Sequence, residues 1–172
     1  MSHHNKLYRR EYYLTLSSID MNYAMRLATY KYNLSRKVGH VDKMKGSADH
    51  LILTDARAIM AERAVANIMG WKWERNVNGS GQPDFVIDGM NVDVKSTVRD
   101  WPTLKIPCYN KGIIKSKMDR FVLVSVSRDD KYVVILGWIS KKDAIKKGHL
   151  GHRASGFYWE VYRRHLNFME DW

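Results

Sequence analysis

The chain has 172 residues, 45% of them hydrophobic and 27% charged with both signs mixed, which suits one domain with a real core and excludes a disordered segment. A formal net charge of +11 points to a polyanionic partner, nucleic acid first and an anionic membrane surface second. No run approaches the roughly 20 apolar residues of a membrane span, no signal-peptide core is present, and the single Cys108 excludes an internal disulfide or a multi-cysteine zinc site, so a reducing, cytoplasmic setting is expected.

Residues Lys6 to Leu16 are basic and tyrosine-rich without a clear period. Ser17, Ser18 and Asp20 are candidate caps for a helix running to about Lys37, in which Met21, Ala24, Met25, Ala28 and Tyr32 keep helical spacing. His40 to Leu53 reads as a loop with Gly46, Ser47 and Asp49 as turn formers. A second helix, capped by Thr54 or Asp55 and stopped by Gly70, gathers Ala58, Ile59, Ala61, Val65, Ala66 and Met69 on one face. Glu62 falls near the centre of that face. A carboxylate there carries a heavy desolvation penalty unless it is paired or metal-bound, so it is either a buried acid held by a basic partner or an acid aimed at a site.

Trp71 to Val77 alternates as a strand, and Asn78 to Gly81 is a connector. Phe85-Val86-Ile87 and Val92-Asp93-Val94 flank Asp88-Gly89, the strongest short-range hairpin signal. Counting outward from a two-residue turn sets Ile87 against Met90, Val86 against Asn91, Phe85 against Val92 and Asp84 against Asp93. Directly opposed residues stand about 4.5–5.5 Å apart at Cβ. Lys95, two residues past Asp93, shares its face, while Phe85, Ile87, Val92 and Val94 share the other. Two acids and an amine clustered in this way contribute nothing to folding, and the cluster reads as a cation site.

Thr97 to Asn110 mixes Arg99, Trp101 and Tyr109, side chains suited either to holding a nucleic-acid backbone and stacking on a base or to anchoring a loop. Lys111 to Met118 reads as a short helix with Lys111, Lys115 and Lys117 on its polar side. Phe121 to Val126 and Tyr132 to Leu136 are runs expected of buried strands, joined by a turn at Arg128 to Lys131. Ser140 to Lys147 reads as a capped helix, and Phe157 to Arg163 as a last strand before a tail anchored by Phe168 and Trp172. His149 and His152 have metal-compatible spacing, but Gly148 and Gly151 suggest a loop and no third ligand is evident.

Three acids converge if the second helix lies against the hairpin: Glu62, Asp84 and Asp93. Hard oxygen donors select Mg²⁺, with Mn²⁺ as substitute, over zinc. Such an ion supports phosphodiester hydrolysis, and Lys95 beside it can orient a water or donate to the phosphate.

Pro83-Asp84 followed by Asp93-Val94-Lys95 resembles the PD-(D/E)XK (restriction-endonuclease-like) nuclease superfamily in its D-x-K form, and Glu62 matches the acid many members carry on the preceding helix. Lys117-x-Asp119 and Gly137-Trp138-Ile139 look like small phage or bacterial members. The resemblance covers about Asp55 to Ile139. It implies an α/β (α+β) fold with a mixed sheet and a helix, three strands, helix, strand core, from which this chain departs in a second core helix that is short or missing between Thr97 and Met118. Residues 1–54 would then be a basic N-terminal helical extension, 55–139 the catalytic core and 140–172 a C-terminal helix and strand, all within one domain. It further implies Glu62, Asp84, Asp93 and Lys95 as catalytic residues, and Asp84, Asp93, the Val94 carbonyl and Glu62 as metal ligands. Arg99, Lys111, Lys115 and Lys117 are candidate nucleic-acid contacts. The expected activity is Mg²⁺-dependent DNA endonuclease, in the host cytoplasm if phage-encoded, with a homodimer as one way to cut both strands. A non-cleaving nucleic-acid-binding module on the same fold, or an RNA-directed nuclease, are the alternatives.

Overall fold

A computed structural model describes residues 12–37, 46–74, 82–98, 102–109, 112–114, 117–153 and 156–172, with Ser18 and Ile19 by backbone alone. In chain order the elements are β1 (Tyr12–Thr15), α1 (Ser18–Lys37), α2 (Ala48–Met69), β2 (Phe85–Ile87), β3 (Met90–Thr97), β4 (Thr103–Cys108), β5 (Arg120–Val126), β6 (Tyr132–Ser140), α3 (Lys141–Lys147), β7 (His149–Arg153) and β8 (Gly156–Tyr162), then two short 3-10 turns. Strands order as β1-β6-β5-β3-β2 in one mixed sheet and β4-β8-β7 in a smaller antiparallel one. The parallel pair is β3 with β5, which sets Asp93 beside Phe121 and Lys95 beside Leu123.

The larger sheet is covered on both sides, because β5 and β6 are apolar on both faces. Val122, Val124, Val126, Val133 and Ile135 look toward α2 and α1, joining Ile59, Met60, Val65, Val92 and Val94 in one core. Phe121, Leu123, Val134, Leu136 and Ile139 look the other way and pack with Leu104, Ile106, Ala144 and Val161 in a second. At about 25 cal/mol per Å² of apolar surface, each fully buried large aliphatic in these cores stabilises by roughly 1.5–3 kcal/mol. Helix α2 is sandwiched between α1 and the sheet, so Ala56, Met60 and Ala64 are buried along with Ile59, Ala61, Val65 and Ala66 of the face set by periodicity, while Ala58 and Met69 are half-buried.

Helix α1, the hairpin, β5, β6, α3 and β8 follow the sequence reading, and α3 is capped by Ser140, whose hydroxyl accepts from the Asp143 N–H. Four readings are corrected. Of the loop expected from His40 to Leu53, residues 40–45 lie outside the described residues and Ala48 to Leu53 start α2: Ser47 caps it, accepting from the His50 N–H at 3.3 Å, and burial of Leu51 draws the extra turns into helix. Trp71 to Glu74 is irregular rather than a strand, because Trp71 packs across Phe85 and Trp172 instead of joining a ladder. Residues 75–77 of that expected strand lie outside the described residues. No helix forms at 112–114 or 117–118: Ile114 bridges back to Cys108, and the Gly112 carbonyl is held by the Trp159 indole at 2.6 Å. The chain between β3 and β5 instead supplies β4 to the second sheet. His149 to Arg153 is strand β7, not a loop. Among the described residues no helix is long and apolar enough to cross a membrane.

Candidate active site

Asp88 and Gly89 both hold positive φ, 51° and 76°, the conformation of a type I′ turn that asparagine, aspartate and glycine tolerate best. The turn fixes the register, and Ile87–Met90, Val86–Asn91 and Phe85–Val92 pair as the count from Asp88-Gly89 requires. The count goes one pair too far, however. Asp84 leaves the ladder instead of standing opposite Asp93, its N–H donating to the Val92 carbonyl at 2.9 Å. Strand β2 ends before it can serve Val94, and the Asp84 carboxylate takes its place, accepting from the Val94 N–H at 2.6 Å. This bond ties the Pro83-Asp84 corner to the centre of Asp93-Val94-Lys95.

Alternation buries Val92 and Val94 in the helix-side core and turns Asp93 and Lys95 to the opposite face. The Lys95 ammonium straddles the Asp93 carboxylate, 2.8 Å from Oδ1 and 2.7 Å from Oδ2. Asp93 is largely buried, whereas the Lys95 side chain is 39% exposed, so the amine is the part of this pair that solvent reaches.

Glu62 on α2 accepts at its Oε2 from a neutral donor, the Trp73 indole, at 3.1 Å, and Lys31 and Lys95 add favourable charge. Burial holds the Glu62 carboxyl above its ordinary range, the Trp73 bond and the Lys31 charge oppose this, and the Asp93 charge adds to it. Asp84 is pushed up further, to about 7, by burial first and then by the charges of Glu62 and Asp93, against the Val94 N–H and Lys95. The three acids of the sequence reading therefore feel one another and share Lys95.

That donor set, carboxylate oxygens alone, suits a hard divalent cation. Among the described residues no three or more His, Cys, Asp or Glu side chains are gathered so as to hold a metal ion. The site's carboxylates are instead engaged by the Val94 N–H, Lys95 and Trp73. Strand β2 ends at the Phe85–Val92 pair, so the Val94 carbonyl lies beyond the hairpin ladder.

Periodicity gives no sign of the residues that set Glu62 in place. Trp73 lies eleven positions along the chain from it, and the Tyr23 ring (6.2 Å, edge-on) and the Arg63 guanidinium (5.8 Å) flank Trp73. Asp119 is also a positioning residue. It accepts from the Asn91 N–H through Oδ2 and donates its own N–H to the Asn91 carbonyl, both at 2.8 Å, and so locks the start of β5 to β3.

Of the candidate nucleic-acid contacts, Lys117 is exposed just ahead of Asp119, while Arg99, Lys111 and Lys115 lie outside the described residues, as does Trp101. His149 and His152 are three apart on a strand and face opposite sides, so they do not form a chelating pair. Cys108 is fully buried. No protein-family model, curated protein or solved structure matches this chain.

Proposed function

We propose that the chain is a Mg²⁺-dependent DNA endonuclease that hydrolyses phosphodiester bonds at Glu62, Asp84, Asp93 and Lys95. The observation that carries this reading is the geometry at the root of the hairpin, where the Asp84 carboxylate accepts from the Val94 N–H at 2.6 Å and Lys95 straddles Asp93, with burial and the charges of Glu62 and Asp93 holding the Asp84 carboxyl high. Burial of mutually repelling acids is costly for folding, and perturbation of this kind concentrates at functional sites. Asp84, Asp93, Glu62 and the Val94 carbonyl would hold the ion, which supplies charge neutralisation at the scissile phosphate and activates water. Lys95 is the chain's own contribution. Its exposed ammonium donates to a phosphate oxygen or orients the attacking water, and Asp93 holds it in place. Asp84 fixes the backbone of Val94 between the two residues that do the chemistry. The formal charge of +11 supports a polyanionic substrate.

A non-cleaving nucleic-acid-binding module is the second reading, and it draws on one observation: Lys95 occupies both oxygens of Asp93, the carboxylate an ion would need. Incubation with supercoiled plasmid, linear duplex, four-way junction and RNA, with Mg²⁺ or with EDTA, separates the two. Cleavage of DNA that requires Mg²⁺ is expected. Binding without cleavage of any substrate favours the second reading, and cleavage of RNA alone shifts the substrate class.

A further inference from the structure

The second sheet uses its two faces differently. Leu104, Ile106 and Val161 point into the core against the larger sheet, while register sends Lys105, Glu160 and His149 outward in one row across the three strands. Among the described residues α2 lies on the larger sheet and α1 on α2, while α3 packs against β8 and β6 and sets Ala144 in the inter-sheet core.

Two tyrosines stand on this outer face, on either side of Glu160. Tyr158 lies over Gly151, where a Cβ would come within 2.6 Å of its Cζ, so the glycine provides the bed for the ring. Lys105 and Arg153 approach the Tyr158 ring at 4.9 and 5.3 Å. Tyr162 is 39% exposed, with Arg164 at 4.9 Å from its ring and the His149 ring at 5.0 Å. The two rings are four positions apart on β8, about 13 Å along the strand. Glu160, the acid between them, is already answered by Thr103 Oγ1 at 2.9 Å and by Lys105 and His149 at 3.2 Å each. What remains is a positively charged face on which each tyrosine ring carries an arginine, and a stacking base would displace that arginine toward its own phosphate.

A duplex keeps its base faces stacked inside and offers such a surface only phosphates. A single strand offers both phosphates and free base faces. We propose that the outer face of β4-β8-β7 binds single-stranded nucleic acid, with bases stacked on Tyr158 and Tyr162 and phosphates on Arg153 and Arg164. This rests on the second sheet alone and holds whether or not the hairpin site cleaves anything.

The test is fluorescence anisotropy in EDTA, so that no cleavage intervenes, with labelled oligo-dT and oligo-U of about 12 nucleotides, an abasic oligomer and a duplex of the same length. Both pyrimidine strands should bind more tightly than the abasic chain, and whichever is preferred identifies the sugar. Tyr162→Ala should weaken single-strand binding about tenfold and Tyr162→Phe should retain it, since stacking needs the ring and not the hydroxyl. Arg153→Ala and Arg164→Ala should each lower the salt slope by about one. Equal binding of abasic and base-bearing strands by the unaltered protein overturns the proposal, as does unchanged affinity in a folded Tyr162→Ala variant. Loss of Mg²⁺-dependent cleavage with single-strand binding intact counts against the hairpin site alone.

Discussion

Replacing Asp84 by asparagine should make the metal-free protein more stable at neutral pH. An Asp84 carboxyl near 7 in the folded chain, against 3.8 ordinarily, means that ionising it costs about 4 kcal/mol more in the folded state than in the unfolded one. The sign follows from linkage. Between these two values the folded state keeps a proton that the unfolded state has lost, so the stability contributed by this group is full below about pH 3.8 and is lost as pH rises through 7. The substituted carboxamide keeps an oxygen to accept the Val94 N–H and has nothing to ionise. Asp84→Asn should therefore gain on the wild type by about 3 kcal/mol between pH 5 and pH 8. For a chain of 172 residues that is roughly 6–12 °C in Tm. Thermal unfolding followed by circular dichroism in EDTA at pH 5, 6, 7 and 8 measures it. A Tm difference that stays constant across this range would refute the argument, because burial and repulsion at Asp84 would then not be what the geometry implies. Adding Mg²⁺ at pH 8 should raise the Tm of the wild type more than that of the variant.

Lys95→Ala and Asp93→Ala should abolish cleavage while leaving duplex affinity, measured by gel shift, within a few-fold of wild type; normal cutting by either variant removes it from the site. Trp73→Phe deprives buried Glu62 of its donor and should cost about 1–3 kcal/mol in urea unfolding at pH 7, with a smaller loss in acid, because burial holds the Glu62 carboxyl above its ordinary range and its protonated form needs the donor less. Gly89→Val places a branched side chain at φ 76° and should destabilise by about 1–2 kcal/mol, with an unchanged urea m-value showing that the hairpin still forms. Arg57→Ala breaks a half-buried bidentate pair with Asp130, at 2.7 and 3.0 Å, and should cost about 1–3 kcal/mol by the same measurement.

The parts of the site legible in the sequence are those governed by local chemistry. Asp88-Gly89 dictates a turn type, the turn dictates a register, and the register puts Asp93 and Lys95 on one face with Val92 and Val94 on the other. Glu62 is legible because a helix wheel needs no tertiary information. The count misses at Asp84, where a side chain substitutes for a strand residue, a change that no period encodes. The second sheet is illegible for a different reason. Strand β4 contains Lys105 and Pro107, weak strand residues, and becomes a strand because β8, more than fifty positions later, pairs with it. Strand β1 likewise owes its extended form to β6. Helix α2 begins seven residues before its expected cap, since Ser47 is as good a cap as Asp55 and only burial of Leu51 decides between them.

The diversion of β4 away from its sequence neighbours has a consequence for how the chain folds. The β2–β3 hairpin closes over two residues and can form in microseconds, so Asp93 and Lys95 acquire their common face early. The parallel β3–β5 pairing must instead enclose residues 98–119, and β4 within that loop stays unpaired until β8 arrives. During synthesis the polypeptide therefore carries an open strand edge beside a preformed acidic corner for some fifty residues, the interval in which a chaperone would find it and in which intermolecular pairing competes with folding.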